Sequence, residues 1–369
     1  MRRLFPVVLA GCVALAACGA PQQATEAPPE ATAVVAPEKS ATTTQANLTS
    51  VKTYLLDSLS SLKTSSEQLT AASNRYYELA KSDDFDYSTL WNTKQQEVMD
   101  AVEQAREAWK AASPGYERVE GLVAGVPLLA EYDVILDAGA SGKEGGDAVV
   151  PFDLQLPDGR TLQKPGNLFG VTESTLWGTD PEYTASVQAD FNGNGTLEFG
   201  EALPEANVLK AGAEKLDAYV GELQTAAQGW QPSEADAFTA LVVMVPTMNE
   251  YFDSWKNSRF IAGDASSQRD FVAISRLADI QEILSGLEVV YKGVSPIVAS
   301  VDASQDQQIG KGLTDLKVFV ADVHAKEQRG EKFSGEDADL LGAEAQNRAT
   351  AITGQLTQIA AKLNISIEE

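Results

Sequence analysis

The chain has 369 residues, 53 acidic side chains against 28 basic ones, a formal net charge of −25 and 44% hydrophobic residues. That apolar share over this length suffices for a large core without disulfides, while the acidic surface argues against nucleic acid or anionic lipid as partners and favours cations. One histidine and two cysteines leave little material for nucleophilic chemistry or for soft-metal sites.

In chain order, Met1-Arg2-Arg3 is a short positive stretch, and Leu4 to Ala14 is an apolar run too short to span a bilayer. Leu15-Ala16-Ala17-Cys18 then resembles the lipobox of bacterial lipoproteins. The expectation is that residues 1–17 are a signal peptide and that Cys18 is acylated. Leu9-Ala10-Gly11-Cys12 fits the same pattern with a very short apolar core, and an ordinary secretory signal is the alternative. Several acyl chains on Cys18 would anchor the protein stably to a bacterial membrane, on its periplasmic or cell-surface face. Residues 18–46 are rich in Ala, Pro, Thr, Gln and Glu and poor in large apolar side chains. They read as a disordered tether, because they cannot bury enough surface to offset the entropy of ordering.

From Leu48 the apolar spacing is helical, and no later apolar run reaches transmembrane length. Helices are predicted over 47–81, 88–112, 114–137, 205–228, 233–258, 268–299, 304–328 and 335–364. Ser233 and Ser334, each followed by an acidic first turn, read as helix caps, and Pro246 as a kink. The segment 139–203 interrupts this pattern. Its clustered glycines, the run Val149 to Leu156 and the turn Pro157-Asp158-Gly159 predict a small β-hairpin or ordered loop inserted among helices. The tryptophans Trp91, Trp109, Trp177, Trp230 and Trp255 are read as bundle packing, and His324 as an exposed helix residue.

The insertion ends in Asp190-Phe-Asn-Gly-Asn-Gly-Thr-Leu-Glu-Phe-Gly-Glu201, which has the spacing of an EF-hand calcium loop. Such loops want oxygen ligands at positions 1, 3, 5, 7, 9 and 12 and a glycine at 6. Asp190, Asn192 and Asn194 supply the first three, Gly195 is the glycine, and Thr196 offers its carbonyl. Glu198 would act through a water and Glu201 would give two oxygens, with Leu197 pinning the loop to the protein. Two charged ligands, a single loop, and Gly200 and Pro204 at the start of the exiting helix point to weak binding, about 10⁻⁴ to 10⁻³ M. A structural clip is the expectation, not a cytosolic switch.

Tyr116-Glu117-Arg118-Val119-Glu120 resembles a Tyr-Glu-Arg-Ile-Glu segment of the imelysin-like domain of EfeO-type iron-uptake lipoproteins. The resemblance continues through Leu128 to Asp137, reappears at Glu173 to Gly178, and returns more weakly from Phe271 to Asn364. It implies an all-α double helical bundle over 47–369, exported and associated with iron or other metal handling. In that family the second segment ends a Gly-x-His-x-x-Glu motif. Here Leu168 stands for the glycine and Gly170 for the histidine, and only Glu173 matches. Without the imidazole, what remains is carboxylate: Glu173 with Glu117 and Glu120, the latter two at i, i+3 on one helical face. An all-oxygen cluster of this kind suits Fe(III), Mn(II) or a second Ca²⁺.

The sequence holds no His-Glu-x-x-His run, no Gly-x-Ser-x-Gly turn, no Walker loop and no dinucleotide fingerprint. The leading expectation is therefore a non-enzymatic lipoprotein that binds calcium and takes part in metal capture, with a permease or a peroxidase as the partner the resemblance suggests. The alternative is a surface scaffold or adhesion protein whose calcium-ordered insertion binds a protein or polysaccharide. A residual hydrolase, as the family's older peptidase name would suggest, is the third and weakest expectation.

Overall fold

Val51, Leu55, Leu59 and Leu62 recur every three or four residues, and all four are buried on one face of the first helix. The computed structural model describes residues 45–368 except 147 and 267. The leader 1–17, Cys18 and the tether up to residue 44 lie outside the described residues.

Helix α1 (Leu48–Ser82) is capped by Asn47, and α2 (Tyr87–Val123) by Asp86, whose Oδ1 accepts the Thr89 N–H at 3.1 Å. Two predicted helices are here one: α2 runs through Pro114, and its non-helical residue is Lys94. Ala112, Tyr116 and Val119 on either side of the proline are all buried, so core packing overrides the local cost of the missing N–H. A short turn α3 (Ala130–Asp133) leads into a π-helical turn, Val134–Ala138, in place of the last part of the expected helix.

The insertion forms the expected hairpin. Strands β1 (Leu154–Gln155) and β2 (Thr161–Leu162) pair antiparallel, with Leu154 opposite Leu162, around a turn in which Gly159 has φ +90°. After α4 (Leu168–Trp177) comes a second antiparallel pair, β3 (Thr184–Gln188) and β4 (Ala202–Pro204). The remaining helices are α5 (Ala206–Gly229), α6 (Glu234–Met244), α7 (Met248–Asn257), α8 (Arg259–Ala262), α9 (Arg276–Gln328) and α10 (Gly335–Leu363). Ser233 and Ser334 each close a reciprocal capping box, with Asp236 and Asp337. Pro246 lies in the 3-10 turn that separates α6 from α7.

Helices α1, α2 and α5 pack together, as do α7, α9 and α10, and α9 touches both groups, giving the all-α double bundle. Asp302 has extended backbone angles inside α9 and lets the chain turn back there, as the predicted break between 299 and 304 requires. By length and composition α9 could cross a bilayer, but 56% of its most apolar window is buried inside the protein. It also begins at Arg276, eight residues later than predicted, because the backbone of 271–273 is drawn off to another partner described below.

The bundles meet without a gap where α9 crosses α2. Gly286 of α9 lies on the Arg118 carbonyl of α2, where a Cβ would overlap the oxygen, whereas Gly354 on α10 is exposed with nothing near it. Gly286→Ala should therefore destabilise the protein by about 1–3 kcal/mol. Gly354→Ala should stabilise it by about 0.5–1 kcal/mol. Denaturant melts of the two variants check both signs.

Candidate metal centre

The twelve-residue loop is held between β3 and β4, with Gln188 paired to Ala202 at its base. It is left through a strand, not directly through a helix, and α5 begins only at Ala206. Within the loop the Asp190 carboxylate accepts the N–H groups of Gly193 (2.7 Å), Asn194 (3.2 Å) and Gly195 (2.8 Å). Asn192 Oδ1 accepts from Asn194 N, Asn194 Oδ1 from Thr196 N, and the buried Glu201 accepts the Glu198 N–H at 2.7 Å. The amides of Asn192 and Asn194 donate to Glu198, so the acids and amides of the loop share one cluster. Gly195 has φ +79°, the sharp-turn conformation expected at position 6.

Leu197 does not pin the loop; it is 55% exposed. Its neighbours do the anchoring. Phe191 packs against Trp91 and under the Arg106 guanidinium, 4.6 Å from its ring centroid, and Phe199 lies 3.4 Å from the Arg259 guanidinium. Arg106 also donates to the carbonyls of Leu176 and Gly200, fastening α2, α4 and the loop together, and its burial lowers its pKa to about 10.

A second cluster forms inside the bundle. Glu117 and Glu120 do share one face of α2, and the π-helical turn brings Asp137 to them. Ligand oxygens of the three lie within 4.8 Å of one another, and all three residues are buried. Around them stand Asp133, Asp279 and the cation Arg276 at the start of α9. Arg276 Nη1 is 3.3 and 3.4 Å from the two Glu117 oxygens and 3.3 Å from Asp279 Oδ2. Its guanidinium is 4.3 Å from the Phe271 ring and 4.6 Å from Tyr251. Tyr251 donates to Glu120 Oε1 at 2.8 Å, and Tyr116 to Asp133 Oδ1 at 2.7 Å.

Burial pushes Glu117 and Asp137 well above the usual carboxylate range, with neighbouring acids adding to the effect on Glu117 and Arg276 opposing it on Asp137. Burial raises Asp133 to about 7 despite the Tyr116 hydroxyl, and Asp279 to about 6 despite Arg276. A cavity of about 490 Å³ opens over this centre, with Glu120, Asp133, Asp137, Tyr251 and Arg276 in its wall.

Glu173 does not complete the trio. Its Oε2 accepts the Phe271 N–H at 2.7 Å, and its Oε1 those of Val272 and Ala273 at 2.9 and 2.8 Å. Both oxygens therefore serve the segment that leads into α9. Burial raises its pKa to about 8 against those three hydrogen bonds. At Gly170, a Cβ would come within 2.8 Å of Asp270 Oδ2, so a carboxylate fills the space a larger side chain would enter. His324 is not exposed as expected: it is half-buried, with Gln281 Nε2 2.8 Å from Nδ1, and burial lowers its pKa. Asp137, Asp133, Asp279 and Arg276 escaped the sequence reading. Asp133 and Asp137 carried a signal only as members of the Leu128–Asp137 stretch that the family resemblance covers, and Arg276 and Asp279 only as part of its weaker return from Phe271.

The family model described as Imelysin matches residues 51–363 of the chain. No curated protein matches it.

Folding raises the pKa values of Glu173, Asp133 and Asp279, so the folded chain keeps protons that the unfolded chain has already released. Their stabilising effect is complete below the unfolded carboxylate range and is lost as pH rises through the folded values. The thermal midpoint of the metal-free protein should therefore fall between about pH 4 and about pH 8. Asp133→Asn, which keeps an oxygen for Tyr116, should make that fall shallower; scanning calorimetry across the range checks it.

Proposed function

The chain belongs to the imelysin family, whose domain in EfeO-type proteins relates to iron uptake, and on that premise we propose that it is a metal-capturing protein. Its cargo is a hard cation, ferric iron or an ion of similar chemistry, held by Glu117, Glu120 and Asp137. One observation carries the reading: three buried carboxylates converge within 4.8 Å, two more stand beside them, and the Arg276 guanidinium bridges Glu117 and Asp279. Buried charge of one sign takes up either protons or a counter-ion. An all-oxygen donor set suits hard cations, and Tyr251 and Tyr116 add hydroxyls that orient two of the acids. The action is binding and not catalysis, since the centre is built from carboxylates, an arginine and tyrosine hydroxyls without a nucleophile–base pair. In this reading Cys18 carries the lipid anchor of an exported protein, and an iron permease or peroxidase is the partner that receives the cargo.

The loop Asp190–Glu201 fits a resident Ca²⁺ by its donor set. Asp190, Asn192, Asn194, the Thr196 carbonyl, Glu198 and Glu201 would hold it, and the surplus acidity of Asp190, Glu198 and Glu201 favours a divalent ion. Bound calcium would supply a rigid clip against the first half of α2, where Trp91 and Arg106 hold the loop. Chelation should increase proteolytic cleavage between 189 and 201 several-fold, and Glu201→Gln should do the same without chelator. A cleavage rate indifferent to both would remove the calcium assignment.

The cargo site is tested by titrating the purified, calcium-saturated protein with Fe(III) supplied as its nitrilotriacetate complex. Asp137→Asn should lower affinity at least about tenfold. It should also raise the thermal midpoint of the metal-free protein at alkaline pH, where the buried Asp137 would otherwise have to ionise. A variant that lost binding through damage to the fold would lose stability instead.

A further inference from the structure

Three atoms in the carboxylate centre are buried without a hydrogen-bond partner among the described residues: Glu120 Oε2, Arg276 Nε and Asp279 Oδ1. Glu120 is 4% exposed and Arg276 5%, so neither is solvated from outside. Folded proteins pair almost all such atoms, and three in one cluster mark an arrangement that is incomplete. The three are not alike. One is an anionic acceptor beside the proposed cargo site, and the other two are a donor and an acceptor on residues three apart on α9.

Arg276 at present faces both acids with one nitrogen, at 3.3–3.4 Å, which is long for a charge-assisted bond. It therefore sits on Glu117, one of the three cargo ligands, without gripping it. The rings of Phe271 and Tyr251 flank the guanidinium and offer it a track on which its charge stays accommodated while it moves. Glu173 fixes the start of that track by clamping residues 271–273.

We propose that Arg276 is an internal counter-cation that the incoming metal displaces: the cation takes Glu117, and the guanidinium closes onto Asp279 as a two-pronged pair. This rests on the metal-capture reading. One event then satisfies all three atoms. The cation meets Glu120 Oε2, and Arg276 Nε–H donates to Asp279 Oδ1 beside the existing Nη1 contact to Oδ2. Arg276 lowers the affinity for the cargo, since binding must compete with it, and by returning to Glu117 it favours release. It discriminates among cations by charge, because the ion must outcompete a monovalent guanidinium already in place.

The test is a double-mutant cycle read by the same Fe(III)–nitrilotriacetate titration of the calcium-saturated protein. Arg276→Gln should tighten binding roughly tenfold, and Asp279→Asn should weaken it by a similar factor in the wild-type background. In the Arg276→Gln background, Asp279→Asn should change the affinity little, because Asp279 acts through the arginine. Equal losses in both backgrounds would mean simple through-space charge and would overturn the proposal, as would unchanged or weaker binding by Arg276→Gln. Should that variant fail to fold, the wild type decides. On adding gallium(III), a diamagnetic trivalent ion, hydrogen exchange at Arg276 Nε–H should slow at least tenfold, and an unchanged rate overturns the proposal. If the wild type binds no trivalent ion, the capture reading falls and this inference with it. If it binds and Asp137→Asn does not, while the cycle is additive, this inference alone falls.

Discussion

Five buried carboxylates facing one arginine are the constraint around which the rest of the structure is arranged. Charges of one sign in a low-dielectric interior cost several kcal/mol each unless they are neutralised or paired. The chain meets that cost in three ways. It raises the proton affinity of Glu117, Asp137, Asp133 and Asp279, sets tyrosine hydroxyls on Glu120 and Asp133, and places Arg276 between Glu117 and Asp279. The atoms left over, Glu120 Oε2 among them, are what a hard cation would meet.

Several departures from regular helix follow from that centre. The π-helical turn at Val134–Ala138 adds a residue to the local register and brings Asp137 beside Glu117 and Glu120. The segment before α9 forgoes helical hydrogen bonds because Glu173 accepts its three N–H groups, and Phe271 takes φ +54° there. That costs backbone strain and sets where α9 begins, hence where Arg276 and Asp279 stand. The motif glutamate thus supports the centre from behind, through the backbone it clamps.

The loop at Asp190–Glu201 communicates with the same helix. Arg106 reaches from α2 to the carbonyls of Leu176 and Gly200, and Trp177 meets Trp109 edge-on, with ring centroids 5.3 Å apart. Farther along, Tyr116 packs on Phe169 and bonds Asp133. Loop, α2, α4 and the carboxylate centre are one packed unit, so a clip at the loop would stiffen the helix that carries Glu117 and Glu120.

The sequence by itself determined the helical class, the capping boxes at Ser233 and Ser334, the hairpin at 154–162, the turn conformation at Gly195 and the shared face of Glu117 and Glu120. Each depends on neighbours within a few residues, where periodicity, cap chemistry and glycine's access to positive φ act locally. Tertiary structure decided the rest. Pro114 stays inside a helix because buried residues flank it, Leu197 lies exposed because Phe191 and Phe199 found the partners, and α9 starts late because Glu173 on another helix takes its amides. Asp137, Asp279 and Arg276 join Glu117 only when α2, the π-helical turn and α9 converge. Carboxylates far apart in sequence carry no periodic signal of their meeting, and it is their enforced closeness away from water that gives them a chemistry.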